Sequence, residues 1–218
     1  MTMRNSLFVK LSIYIGFILA WLAVYEHFIV PFFPDTLSGY LMSSLVIFVT
    51  VSLPSLYLIY KNPKGLAVSF QELWSFSFRS HRIVMMMLVM LIYFLTLTHT
   101  EEAIIYYDLT HFSDNVMHSI FLDGIAIEIV FRGLLLNVLM KKMENWQAVT
   151  VNTLIYLLAY AVFWTYQTPS LFEAVNSGAV ILVVVLNIVY SALFIRKKSL
   201  WPSLLMHSFW NLGLYIFI

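Results

Sequence analysis

Long apolar runs separated by short polar connections dominate the chain. Seven stretches are apolar enough, at close to twenty residues, to be read as membrane-crossing helices: 7–30, 39–60, 83–100, 117–140, 147–167, 177–195 and 199–217. The pattern predicts an all-α fold, a polytopic membrane bundle of about seven transmembrane helices. The first run follows MTMRNSLFVK, meets no small-residue cleavage site and outlasts a signal-peptide core, so it reads as a retained span. Between the second and third runs, residues 62–82 mix Leu, Phe and Trp with Arg and Lys. That mixture fits an amphipathic helix on the inner leaflet, or equally a loop with aromatic anchors.

The charges orient the bundle. Every basic residue except Arg132 lies near the N-terminus or in the second, fourth or sixth connection. The odd-ranked connections and their edges hold Glu26, Asp35, Glu101, Glu102, Asp108, Asp114 and Glu173 instead. Basic loops mark the cytoplasmic side, so the expectation is a cytoplasmic N-terminus and an external C-terminus. The membrane is expected to be the cell membrane.

Composition agrees: 61% of the 218 residues are hydrophobic and only 11% charged, with a mean hydropathy of +0.88. A soluble domain carries about a quarter charged residues. A net charge of +1 argues against nucleic acid as a partner, and the absence of cysteine excludes disulfides and thiolate chemistry. No Gly-rich phosphate loop is evident, so no nucleotide or other cofactor is expected.

Four ionisable residues fall deep within spans: Asp123, Glu128, Arg132 and His207. Each costs at least about 2–3 kcal/mol to bury, which makes it a functional candidate. Glu128 and Arg132 are four apart and can pair on one face, either as a structural ion pair or as part of a site. His207 and Asn211 form a second pair at that spacing, able to donate to a common oxygen or to join helices. Counted from the cytoplasmic ends, Glu128 and Asn211 both lie about 18 Å deep, so the two pairs can converge. One deep histidine is too few for zinc, and no metal is expected. Asn187 and Ser191 read as helix–helix hydrogen bonds, Pro54 as a kink, and Met85–Met87 as packing.

EIVFRGLLLNVL in the fourth span and SLWPSLLMHSFWNL in the seventh resemble motifs of the CAAX-protease and bacteriocin-processing family, also called Abi or CPBP, which includes the Ras-converting CAAX endopeptidases. The resemblance covers about residues 115–218, a protease-like core preceded by N-terminal spans over 1–114. It implies that Glu128 and Arg132 match the second glutamate and the arginine of E-E-x3-R, which organise the site. It also implies that His207 and Asn211 match the H-x3-N pair that stabilises the oxyanion. The two water-activating positions depart from the family: Ile127 stands for the first glutamate and Trp164 for the histidine of F-x3-H. Neither side chain accepts a proton at neutral pH.

The expectation is therefore a catalytically degenerate endopeptidase homologue that binds a peptide or a membrane-protein partner, in bacteriocin self-immunity or as a scaffold. The alternative is an active endopeptidase with altered chemistry, cutting leader or CAAX-like peptides. Its base would be Asp123, helped by His118, or Glu128 itself. A small transporter is disfavoured by the missing internal repeat.

Overall fold

The computed structural model describes residues 3–33, 37–76, 81–100, 124–167 and 178–217, and every regular element among them is helical. Helix α1 (Met3–Val24) runs on through a π-helical turn, Tyr25–Ile29, and a 3₁₀ turn, Val30–Phe32. Helices α2 (Leu37–Ile47) and α3 (Leu53–Lys61) are joined by a second π-helical segment, Phe48–Ser52. Pro54 sits in the first turn of α3, where its missing N–H is harmless, so the expected kink takes the form of a π segment just before the proline.

Three described stretches are long and apolar enough to cross a membrane: Val9–Phe32, Leu41–Lys61 and Ala179–Lys197. The outward faces carry apolar side chains, with Ile13 and Ile181 each 69% exposed and Val89 62% exposed. Such a surface needs lipid against it, and the chain is a membrane protein.

Over 62–82, read equally as an amphipathic helix or a loop with aromatic anchors, the described residues 62–76 form a connection with little helix. Their one α-helical stretch is α4 (Phe70–Leu73), a single turn closed by a capping box between Ser69 and Glu72. Leu66, Val68 and Leu73 are buried against the bundle rather than facing a leaflet. The segment is a strap that spends its backbone groups on neighbours. Asn137 accepts from the Val68 N–H at 2.7 Å and donates to the Val68 carbonyl at 2.9 Å. The Leu200 N–H donates to the Leu73 carbonyl at 2.9 Å, and the Trp201 indole donates to the Trp74 carbonyl at 3.2 Å.

Beyond α5 (His81–Thr100), the fourth predicted span is described from Gly124. It comprises α6 (Gly124–Glu128), a π-helical run Ile129–Leu136 and α7 (Asn137–Met140). Every residue of the π run is buried, and it packs on α3 and α8 (Asn145–Gln167). Helix α9 (Ala179–Lys197) ends with Arg196 and Lys197 in its last turn, where cations suit the helix dipole, and with Lys198 in the left-handed region at φ 52°. Helix α10 (Trp201–Phe217) opens with Pro202 in its first turn and packs against α5, α6 and α9.

Two apolar clusters fill the bundle. The larger draws on α1, α3, the strap, the π run and α8. The smaller joins Phe94 of α5, Tyr190 of α9, and Met206 and Trp210 of α10. The polar residues of the fourth span lie between them.

Candidate functional site

Glu128 ends α6 where the hydrogen-bonding pattern widens from α to π, a change that recurs at functional positions. Its carboxylate is fully buried and takes two partners on one oxygen. Arg132 Nη1 lies 3.1 Å from Oε1, and His207 Nδ1 lies 3.0 Å from the same atom. Three members of the two pairs singled out from sequence, Glu128, Arg132 and His207, thus meet at one carboxylate oxygen across α6, the π run and α10.

An ionised carboxylate is acceptor-only, so in this contact the Nδ1–H of His207 donates to Glu128 Oε1. The ring itself is clamped by Tyr190, stacked at 5.2 Å with 17° between planes.

Arg132 is held from more directions than the sequence suggested. Its Nη2 donates to Asn187 Oδ1 at 2.5 Å, and Asn187 in turn donates to Thr153 Oγ1 at 2.7 Å. The guanidinium also lies over two rings, 4.9 Å from the centre of Tyr156 and 5.4 Å from that of Tyr190. Asn187 and Ser191 do make the expected bonds from α9 to α8, Ser191 through Asn152 at 3.5 Å. Asn187 is nevertheless part of the site, because it is a direct partner of Arg132. Thr153, Tyr156 and Tyr190 are further members that spacing along single helices does not reveal. For the two tyrosines the signal was their place on the inner faces of α8 and α9, which a pattern of aromatic residues in lipid-facing helices conceals.

Beside this network lies a cavity of about 150 Å³, lined by His207, Asn211, Tyr156, Tyr160, Tyr190 and Trp210 together with aliphatic residues of α9. Asn211 therefore reaches the cavity one turn above His207, as the i, i+4 spacing requires. The Tyr190 hydroxyl is buried and has no hydrogen-bond partner among the described residues. Ile127, at the family's glutamate position, packs against the larger apolar cluster. Asp123, His118 and the side chain of Trp164 lie outside the described residues. Among the described residues no group of three metal-ligating side chains occurs.

The arrangement can bind and orient a polar group inside an apolar bundle. Glu128 and Arg132 cancel each other's charge, His207 is fixed in orientation, and the tyrosines and Asn211 supply hydroxyl and amide groups.

Comparison with known proteins agrees with the motifs. No curated protein and no solved structure matches the chain. A family model described as type II CAAX prenyl endopeptidase Rce1-like matches residues 86–213, which include the whole of the site just described. The match spans more than half of the 218 residues, and the chain belongs to the Rce1-like family of type II CAAX prenyl endopeptidases.

Proposed function

We propose that this chain is a peptide-binding member of its family that no longer hydrolyses by the family's route. Glu128, Arg132, His207 and Asn211 form the retained cleft, and a peptide or a segment of a membrane-protein partner occupies the cavity beneath Asn211. Self-immunity against a bacteriocin and scaffolding of another membrane protein are both roles that such binding serves. The observation that carries this reading is the position of Ile127. A partly buried aliphatic side chain packed against the core stands where the family resemblance calls for the carboxylate that activates water. Asp123 remains the substitute base that an active enzyme would need, beside Glu128, whose carboxylate is already engaged by Arg132 and His207. The proposal includes seven spans with a cytoplasmic N-terminus, supported by the alternation of basic and acidic connections.

The test is cleavage of a farnesylated CAAX peptide by the purified protein in liposomes, with mass spectrometry detecting products. Wild type, His207→Ala and the double variant Ile127→Glu, Trp164→His are compared. We expect no product from wild type and measurable product from the double variant. Product from wild type that disappears in His207→Ala overturns the proposal and directs attention to Asp123.

A further inference from the structure

The strap gathers charge at one end of the bundle. Its bonds to Asn137 and to Ser199, Leu200 and Trp201 draw together the segments 61–76, 141–146 and 196–201. These segments hold seven cations, Lys61, Lys64, Lys141, Lys142 and the run Arg196–Lys198, against two acids. Both acids are engaged elsewhere, Glu72 in its capping box with Ser69 and Glu144 with the Trp146 indole at 2.6 Å. Among the described residues, Lys61 and Lys64 make no ion pair.

Helix α3 presents the first of these cations in a particular setting. Leu53, Tyr57 and Lys61 are four apart and form one stripe along the helix. Leu53 is 45% exposed, Tyr57 61%, and Lys61 is exposed as well. The stripe is apolar or aromatic until its last turn and ends in an ammonium. That ammonium lies 5.9 Å from the ring centres of both Tyr57 and Tyr60, close enough for a cation–π contact. Tyr60 is held from the strap: it meets Phe70 edge-on at 5.9 Å, and Phe70 meets Trp74 at 6.5 Å. Lys64, also exposed, follows in the 3₁₀ turn Pro63–Gly65, closed by the Gly65 N–H donating to the Asn62 carbonyl at 2.9 Å. An ammonium held against ring faces still has N–H groups to offer an anion.

The pairing of charge with an apolar stripe selects the occupant. A phosphodiester that carries an acyl chain satisfies both parts, with the phosphate on the ammonium groups and the chain along the helix. A soluble acidic peptide would meet the cations and leave Leu53 and Tyr57 uncovered. A zwitterionic lipid would cover the stripe but bring a cation of its own to two others. We infer that Lys61 and Lys64 seat the phosphate of an anionic phospholipid whose acyl chain lies along Leu53 and Tyr57. The inference stands apart from the Glu128–His207 cavity, and under the proposed orientation the lipid belongs to the cytoplasmic leaflet.

The experiment titrates the full-length protein in detergent with dioleoylphosphatidylglycerol or dioleoylphosphatidylcholine at fixed ionic strength, and native mass spectrometry counts the bound lipids. Wild type is expected to bind the anionic lipid at least about tenfold more tightly. The double variant Lys61→Gln, Lys64→Gln should lose most of that preference, and Lys61→Arg, Lys64→Arg should keep it. The variant Lys141→Gln, Lys142→Gln removes the same charge from the neighbouring connection and should retain most of the preference. Equal binding of the two lipids by wild type overturns the inference. A loss as large in the Lys141, Lys142 variant as in the Lys61, Lys64 variant also overturns it, because only a diffuse field would then be at work. Displacement of the lipid by equimolar glycerophosphoglycerol, the headgroup without chains, or by polyglutamate overturns it in favour of a free phosphate or an acidic protein.

Discussion

Replacing Arg132 with methionine tests whether the buried pair holds the site together. Methionine fills an irregular apolar gap without strain, so the change chiefly removes charge and hydrogen bonds. Arg132 and Glu128 both have 0% exposure, so the carboxylate left behind cannot turn to water. Breaking a buried ion pair from one side costs about 3–5 kcal/mol in proteins. Loss of the charge-assisted bond from Nη2 to Asn187 alone accounts for about 1.5–3 kcal/mol of it. Two effects oppose this. Burying an arginine at the centre of a span costs about 2.5–3.5 kcal/mol on insertion scales, and that cost vanishes with it. Polar contacts between membrane helices also average only about 0.6 kcal/mol, because the unfolded state in the membrane finds partners too. Breaking the pair outweighs both here, since Glu128 keeps its own burial cost and loses its cation. We expect a net loss of about 2–3 kcal/mol for Arg132→Met. Glu128→Leu, which strands the guanidinium, is expected to lose at least as much. The double variant buries no charge and should fall within about 1 kcal/mol of wild type. The assay is equilibrium unfolding in mixed micelles of increasing denaturing detergent, followed by tryptophan fluorescence. A double variant as unstable as the sum of the two single ones would show no coupling and refute the reasoning.

Three further outcomes follow from other contacts. In Gly213→Ala the added methyl would sit 2.0 Å from the buried Phe94 ring, so α5 and α10 must part; a loss of about 1–3 kcal/mol is expected, partly recovered by Phe94→Leu, and thermal unfolding measures both. Asn137→Ala removes both bonds to Val68, which should cost about 1–3 kcal/mol and raise hydrogen–deuterium exchange at residues 66–75 before the rest of the bundle responds. The Ser69 backbone N–H, and then its hydroxyl, hold the Glu72 carboxyl below its ordinary value of 4.5. A depressed folded value means the cap's contribution is complete above the unfolded value and is lost as pH falls through the folded one. Exchange in the strap, corrected for intrinsic rate, should therefore rise on acidification below pH 4.5, and Glu72→Gln should flatten that dependence.

The sequence carries the helical class and the meeting of Glu128, Arg132 and His207, because burial of ionisable groups in apolar helices is expensive enough to single them out. Depth counting set Glu128 level with Asn211, whereas the contact that forms is with His207, one turn lower. The π run could not be foreseen, since Ile129–Leu136 is an ordinary apolar string and the wider hydrogen-bonding pattern has no residue signature there. Asn187 and Thr153 were out of reach for a different reason. The i, i+4 rule reports neighbours on one helix, whereas these two meet Arg132 from α9 and α8. Tyr156 and Tyr190 are chemically the same as the tyrosines that anchor helices at an interface, and only packing shows which face the guanidinium. The two readings of the strap stayed open because its Leu66, Val68 and Leu73 have the apolar content of a leaflet-facing helix, and only packing shows that protein covers them.

Among the described residues, that strap ties the two halves of the site at one level. It bonds to Asn137, nine residues beyond Glu128, and to Leu200 and Trp201, six or seven before His207. These tethers lie about 9–13 Å along the helix axes from the Glu128–His207 contact. Any movement that parts the helices carrying Glu128 and His207 must turn about this fastening, as a pair of tweezers turns about its welded end. Separation grows with distance from the weld, so the contact between carboxylate and imidazole opens less than the helix ends beyond it. The far helix ends can thus part while the His207 ring stays seated against Glu128.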